Sequence, residues 1–293
     1  MEMVIQQLVN GLFLGSIYAL LALGYTMVYG IIKLINFAHG EIYMIGAFIG
    51  YFTINKLGIG LVPALVISMA ACACLGMLIE FLAYRPLRKS TRVAALITAI
   101  GVSYFLQNVM IYFFGSNSRS FPQDVIEKAT YHFGFLQVTK IQLIILFTAL
   151  LLMLALQFII QYTKMGKAMR AVSVDADAAE LMGISVDRTI SFTFAVGSAL
   201  AAAAGILIGL YYNSIDPMMG ALPGIKAFVA AVLGGIGIVP GAALGGFAIG
   251  LIETAVVATP YSQFKDAAVY LVLILILLFR PAGLLGKNIK EKV

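Results

Sequence analysis

Cysteine and histidine are nearly absent, two of each among 293 residues. Cys72 and Cys74 stand one residue apart in SMAACACLGMLIE, a spacing that fits neither a C-x-x-C redox pair nor a zinc site and suits small side chains packed between helices. His39 and His132 are too few and too scattered to hold a metal. Charge is scarce as well: Asp, Glu, Lys and Arg make up 11% of the chain against 62% hydrophobic residues, and the mean hydropathy is +1.01. Several apolar runs reach about twenty residues, longer than soluble core helices need, so the composition implies a polytopic membrane protein. The first residues, MEMVIQQLVN, carry no Lys or Arg and no A-x-A-like site follows, so a cleaved signal peptide is not expected.

Catalytic motifs are missing too. Gly166-Lys167 is followed by Ala168, and Gly286-Lys287 by Asn288, so no phosphate-cradling G-x-x-x-x-G-K-[ST] loop exists and ATP hydrolysis by this chain is not expected. Neither G-x-S-x-G nor H-E-x-x-H occurs, and two distant histidines supply no base for a nucleophile. The expectation is therefore no catalytic residue, no metal and no cofactor on this chain. A net charge of +6 would suggest nucleic acid in a soluble protein. Here the basic residues sit in short loops between apolar runs, where they set orientation in lipid, and no nucleic-acid partner is expected.

Apolar runs lie at 5–30, 34–54, 60–83, 93–114, 141–162, 190–212, 225–259 and 266–280. They predict an all-α, polytopic membrane helical bundle over residues 1–293 with eight or nine transmembrane segments, some broken or short. Basic residues cluster at 84–92, 163–170 and 279–293, so these stretches should face the cytoplasm. It follows that 115–140 is an extracytoplasmic loop, 163–189 a cytoplasmic loop, the amino terminus outside and the number of crossings odd.

Two runs have the wrong length. The 225–259 run of 35 residues would make a helix of about 52 Å, whereas two crossings of hydrocarbon need about 60 Å, so it should be two short elements meeting at Pro240. In LINFAHGEIYMIGAF (34–48), the run after Glu41 is too short to cross alone. The helix either starts near Leu34, with His39 and Glu41 at membrane depth, or is broken there, in which case Asn36 is a candidate cap. Glycines four apart crowd between 234 and 250, which suits close helix packing near the centre of a bundle. Two interrupted segments near opposite ends of the chain fit transporters built from repeated halves.

Polar residues at membrane depth are costly and are functional candidates. Asn36, His39, Glu41, Gln107, Asn108 and Glu253 are the candidates for a translocation pathway or gate, with Gln107, Asn108 and Glu253 expected to face the bundle interior; an interhelical hydrogen bond is the competing role for Glu253. Glu80 and Lys226, nearer run ends, are expected to snorkel to water. Asp216-Pro217 reads as a turn on the outer side. In the 115–140 loop, Arg119, Asp124, Glu127 and Lys128 are candidate contacts for a soluble partner.

The most informative polar segment is KMGKAMRAVSVDADAAELMGISVDR, 164–188. Asp175 can cap a short helix, Asp177 and Glu180 suit the helix dipole, and Gly183 suits the left-handed residue past its end. An exposed turn of AAELM needs a protein to pack against. Asp177-Ala178-Ala179-Glu180-Leu181-Met182-Gly183 resembles the E-A-A-x-x-x-G signature of ABC-importer permeases, with Asp for the first Glu and without the Leu-Pro that the stricter consensus carries. The resemblance implies a coupling helix, formed by Asp177, Ala178, Ala179, Glu180 and Gly183, that docks on a cytoplasmic ATPase subunit. More widely, GSIYALLALGYTMVYGIIKLINFAHGEIYMIGAF, YRPLR, LITAIGVSYFLQN, MGKAMRA, LMGISVDR and KAFVAAVLGGIGIVPGAALGGFAIGLIE resemble permeases of branched-chain amino acid ABC importers over nearly the whole chain.

That resemblance implies a multi-pass subunit of the bacterial inner membrane, paired with a second related permease, two cytoplasmic ATPase subunits that use the ATP, and a periplasmic amino acid binding protein. Relatives in the same family carry urea or short amides, so substrate is less fixed than machinery. A secondary transporter using Glu41, Glu253 and His39 for a coupling ion is the alternative from another class. It leaves the 175–183 helix without a purpose.

Overall fold

In the computed structural model, which describes residues 2–88, 90–122, 125 and 129–286, the apolar runs fold as helices and close their backbone hydrogen bonds internally, as a hydrocarbon solvent requires. The elements in order are α1 (Glu2–Ile32), α2 (His39–Leu57), α3 (Leu61–Ile79), α4 (Arg92–Phe114), β1 (Thr130–Phe133), β2 (Leu136–Thr139), α5 (Lys140–Tyr162), α6 (Lys164–Val174), α7 (Ala176–Leu181), α8 (Val186–Tyr212), α9 (Ala221–Gly234), α10 (Val239–Val257) and α11 (Lys265–Phe279). Among the described residues, seven helical stretches are long and apolar enough to cross a membrane, and α2 and α9 are not among them. α9, at 14 residues, is the short element that the length argument expects in the 225–259 run, whereas α2, at 19 residues, is as long as α10 and begins at His39 inside the bundle; with both, the number of membrane elements reaches the upper expected value.

The bundle has two ends. At one, the antiparallel β1–β2 hairpin interrupts what the sequence presents as loop. Gln6 of α1 exchanges two 2.9 Å hydrogen bonds with the Gln137 backbone, and Gln142 both closes a capping box with Thr139 and donates to Asn10. At the other end the described parts of all three basic clusters come together. Arg85 and Arg88 pair with Asp187 at the start of α8, α6 packs beside α1, and the chain after Arg280 lies against Gly235 through Gly283 and Gly286.

The helices form two inverted halves, α1–α4 and α8–α11. α1 runs from the hairpin end to the basic end and α8 runs back. Each then breaks, at Lys33 (φ 55°) and Asn213 (φ 49°), the two positive-φ residues other than glycine among those described. After each break a non-helical connector returns to mid-depth, where a half-helix starts, α2 or α9. The packing repeats as well: α1 lies along α10, and α3 lies along α8. Repeated halves are thus present as architecture, but the second break that matches the first falls at Asn213, ahead of the 225–259 run in which the sequence placed the interruption.

Glycine makes the central contacts possible, as its crowding suggests. A Cβ on Gly15 would fall 2.8 Å from Phe247 Cα, and one on Gly250 would overlap the Gly15 backbone, so α1 and α10 pack backbone to backbone. The break between α9 and α10 falls at Gly235 and Gly237, both in the left-handed half of φ space. Pro240 does not make that break; it occupies the first turn of α10, where its missing N–H costs nothing. By contrast α4, α5 and α11 present Tyr112, Phe113, Leu154 and Leu278 outward, an apolar rim suited to lipid or to another membrane subunit.

Candidate functional site

The two half-helices begin against each other. α2 starts at His39 after a connector over 33–38, and a Cβ on Gly224 of α9 would lie 3.1 Å from Gly40 Cα. Gly220, just before α9, presses its carbonyl toward Gly40. Two positive dipole ends therefore converge inside the bundle. Glu41 sits in the first turn of α2, where that field favours a carboxylate; a Cβ on Gly220 would come 2.9 Å from its Oε2. Ser103 of α4 donates to Oε1 at 3.2 Å, whereas Oε2 has no hydrogen-bond partner among the described residues.

His39 is 1% exposed. Its ring packs on Gly24 of α1 and lies edge-on to Tyr25, with centroids 4.7 Å apart; Nε2 has no partner among the described residues. Asn36 does not occupy the cap position of α2, which falls on Ala38. Its Oδ1 instead accepts from the Ala38 N–H at 3.1 Å and the Tyr84 hydroxyl at 3.0 Å. The side chain thus ties off the turn that precedes the helix, because the connector leaves that donor without a helical acceptor.

Glu253 lies in a second buried cluster. Lys226 Nζ donates to Glu253 Oε1 at 2.8 Å and pairs with Asp266 at 2.6 Å, while the Tyr18 hydroxyl donates to Glu253 Oε2 at 2.7 Å. These groups line a cavity of about 430 Å³ near the hairpin end, with Tyr43, Tyr212, Asp216 and Lys265 on its walls. Lys226 does not snorkel. α9 starts at mid-depth, so its first turns are inside the bundle, and Lys226 is 4% exposed between two acids. Glu80 is likewise fully buried, held by Arg88 and by the Ser191 hydroxyl at 2.6 Å. For both residues a partner within the fold replaces water.

Of the α4 pair, Gln107 is half-buried, but Asn108 is exposed and donates to the Tyr104 carbonyl of its own helix at 2.8 Å. Neighbours on a helix point about 100° apart, so the two cannot share one inward face. Arg119 is not a free surface charge either: its backbone pairs with Ile215, and its guanidinium lies over Phe52 and Phe114. Asp124, Glu127 and Lys128 lie outside the described residues. Asp216 closes the expected turn through the Met218 N–H, 2.9 Å away.

At the basic end the 163–189 segment forms two helices. α6 is amphipathic and seats Gly166, Met169 and Val172 inward. α7 is capped by Asp175, whose carboxylate accepts from the Ala178 N–H at 2.9 Å, and the chain turns after it at Gly183, φ 81°. Asp177, Ala178 and Glu180 are exposed and Ala179 is buried, while Leu181 and Met182 stand 90% and 83% exposed. Sequence reasoning passed over Lys226 and Asp266 as parts of the Glu253 cluster. The available signal was a lysine at the very start of an apolar run; its two acidic partners sit on later helices and are not readable locally.

A family model described as "branched-chain amino acid transport system / permease component" matches residues 7–279. The permease protein LivH of the high-affinity branched-chain amino acid transport system of Salmonella typhimurium is 45% identical, across 99% of this chain and 97% of that protein. Its counterpart BraD of Pseudomonas aeruginosa is 44% identical across 99% and 98%, respectively. A probable LivH of Methanocaldococcus jannaschii is 28% identical across 94% and 91%. Among solved structures, PsaBC from Streptococcus pneumoniae in complex with Fab shares the fold, with a TM-score of 0.50 at 12% identity over 93% of this chain and 91% of that one. The chain belongs to the family of permease components of branched-chain amino acid transport systems.

Proposed function

We propose that this chain is a translocation subunit of an ABC importer in the bacterial inner membrane and passes branched-chain amino acids into the cytoplasm. The observation that carries this is the 45% identity to LivH across 99% of the chain. The chain works with a second related permease, two ATPase subunits and a periplasmic binding protein. It performs no chemistry itself and binds no cofactor; ATP acts on the partner subunits. In this reading the hairpin end faces the periplasm, which the gathering of basic residues at the other end supports, and α7 is the coupling helix. Reconstituted with those partners in vesicles, the chain is expected to drive leucine uptake that requires ATP and survives ionophores. Uptake that persists without the ATPases but collapses with the ion gradient would make it a secondary transporter; uptake competed by urea or short amides but not by valine would move the substrate.

The junction of α2 and α9 is the proposed gate. Backbone contact at Gly40 and Gly220 closes it, and Glu41 holds the two positive ends together. If α2 and α9 part during transport, water reaches His39. His39→Cys, placed in a chain whose Cys72 and Cys74 are changed to alanine, is expected to react with a water-soluble thiol reagent in one nucleotide state and not in the other. Equal labelling in every state excludes the gate.

A further inference from the structure

We infer that the cavity at the hairpin end is a binding site of this chain for the α-amino acid zwitterion, occupied between release from the soluble receptor and passage through the bundle. The inference rests on the proposed importer function and names a site for it.

The cavity's most buried charges already have partners within the fold. Lys226 donates to Glu253 and forms an ion pair with Asp266, and the Tyr18 hydroxyl donates to the other Glu253 oxygen. This fixes a polar floor that is stable without a ligand. Four further groups line the same space and are not used up. The Tyr43 and Tyr212 hydroxyls make no hydrogen bond to the described residues. Asp216 spends one oxygen on the Met218 N–H, and Lys265 is 3.8 Å from the nearest Glu253 oxygen and half-exposed. Tyr43 is 1% exposed, so its hydroxyl is held in place by the packing around it.

The mixture of charges selects the ligand class. Two lysines and three carboxylates line the wall, so it offers both signs within one small volume and has little net charge to retain a simple anion or cation. A zwitterion uses both: its ammonium can be taken by Asp216 and the tyrosine hydroxyls, its carboxylate by Lys265. Ile208, Met218, Met219 and Leu222 supply an apolar wall for a hydrophobic side chain, with methionine able to adapt to leucine, isoleucine or valine. About 430 Å³ falls within the range of small-molecule sites.

The test uses the assembled complex of both permeases and both ATPases in lipid nanodiscs, without the receptor, and measures binding of radiolabelled leucine. Saturable binding is expected, with no competition from 4-methylpentanoate, which lacks the ammonium, or from isoamylamine, which lacks the carboxylate. Asp216→Asn and Tyr43→Phe should each weaken binding by about tenfold, the value of one charge-assisted hydrogen bond, with unchanged melting temperature. If receptor-driven leucine uptake proceeds while the receptor-free complex shows no saturable binding, the site is excluded and the importer function stands. Binding that is indifferent to both substitutions also excludes it, because leucine then sits elsewhere. Absence of leucine uptake with every partner present is the separate failure, that of the function.

Discussion

Changing Leu181 and Met182 together to aspartate is expected to abolish uptake while leaving the chain inserted and folded. Both side chains stand almost bare at the end of α7, 90% and 83% exposed, and the described residues leave them uncovered. Below them Ala179 is buried, and the Asp175 cap and the turn at Gly183 fix the direction in which they point. Two apolar side chains seated in a partner's cleft contribute about 1.5–3 kcal/mol each, so losing both weakens docking by on the order of a thousandfold. Aspartates add the cost of burying unpaired charge. Co-purification with the ATPase subunits and ATP-driven uptake are the measurements, with the melting temperature of the purified chain as control. Normal co-purification would remove α7 from the interface. Bulky replacement of Ala179 is a less clean test, because that side chain packs inside the chain and its enlargement would move α7 itself.

Much of the architecture was legible, because lipid leaves the sequence few options. Length against bilayer thickness marked the irregular helix start around His39 and the division of the 225–259 run. The glycine spacing marked 234–250 as a closely packed element, though not α1 as the helix it packs on. What stayed hidden were relations between distant segments. Nothing local in YYNSIDPMMG says that Gly220 will meet Gly40, since contact across 180 positions is set by how the two halves invert around each other. The same limit explains Lys226 and Glu80. Snorkelling is the natural expectation for one charge near a run end, and a partner such as Asp266 becomes visible only when α11 is placed. The hairpin was missed for a different reason: two four-residue strands are too short to register as alternation, and their anchoring by Gln6 comes from another element.

The inverted arrangement also bears on how the candidate gate can work. α2 and α9 enter from opposite ends and meet head to head at mid-depth, each held on one side by a long helix of the other half. Glycine at the meeting point keeps the surfaces close and smooth, so one half-helix can slide on the other without side chains to unlock. Glu41 restrains this motion electrostatically. A carboxylate between two dipole ends is stabilised only while both are near, and with one oxygen already unpartnered it retains little hydrogen bonding once they separate.

The second large effect is expected at Lys226. Lys226→Met should destabilise the permease by about 3–5 kcal/mol, because it leaves Glu253 buried and ionised with the Tyr18 hydroxyl as its remaining close donor. Glu253→Gln should cost less. The lysine keeps Asp266 at 2.6 Å, and a glutamine oxygen still accepts from Tyr18. The double variant, Lys226→Met with Glu253→Gln, should recover part of the stability, since the charge on Glu253 is removed with its partner, while Asp266, 36% exposed as a side chain, loses the lysine facing its buried Oδ1. Thermal unfolding of the purified permease pair, read as a double-mutant cycle, measures this. Uptake separates structure from function: a double variant that folds normally but transports at less than about a tenth of the normal rate assigns the lysine to the cavity's work on the substrate. If Lys226→Met proves as stable as the unaltered chain, the pair does not carry the burial of Glu253, and the fixed polar floor from which the zwitterion site was built is lost with it.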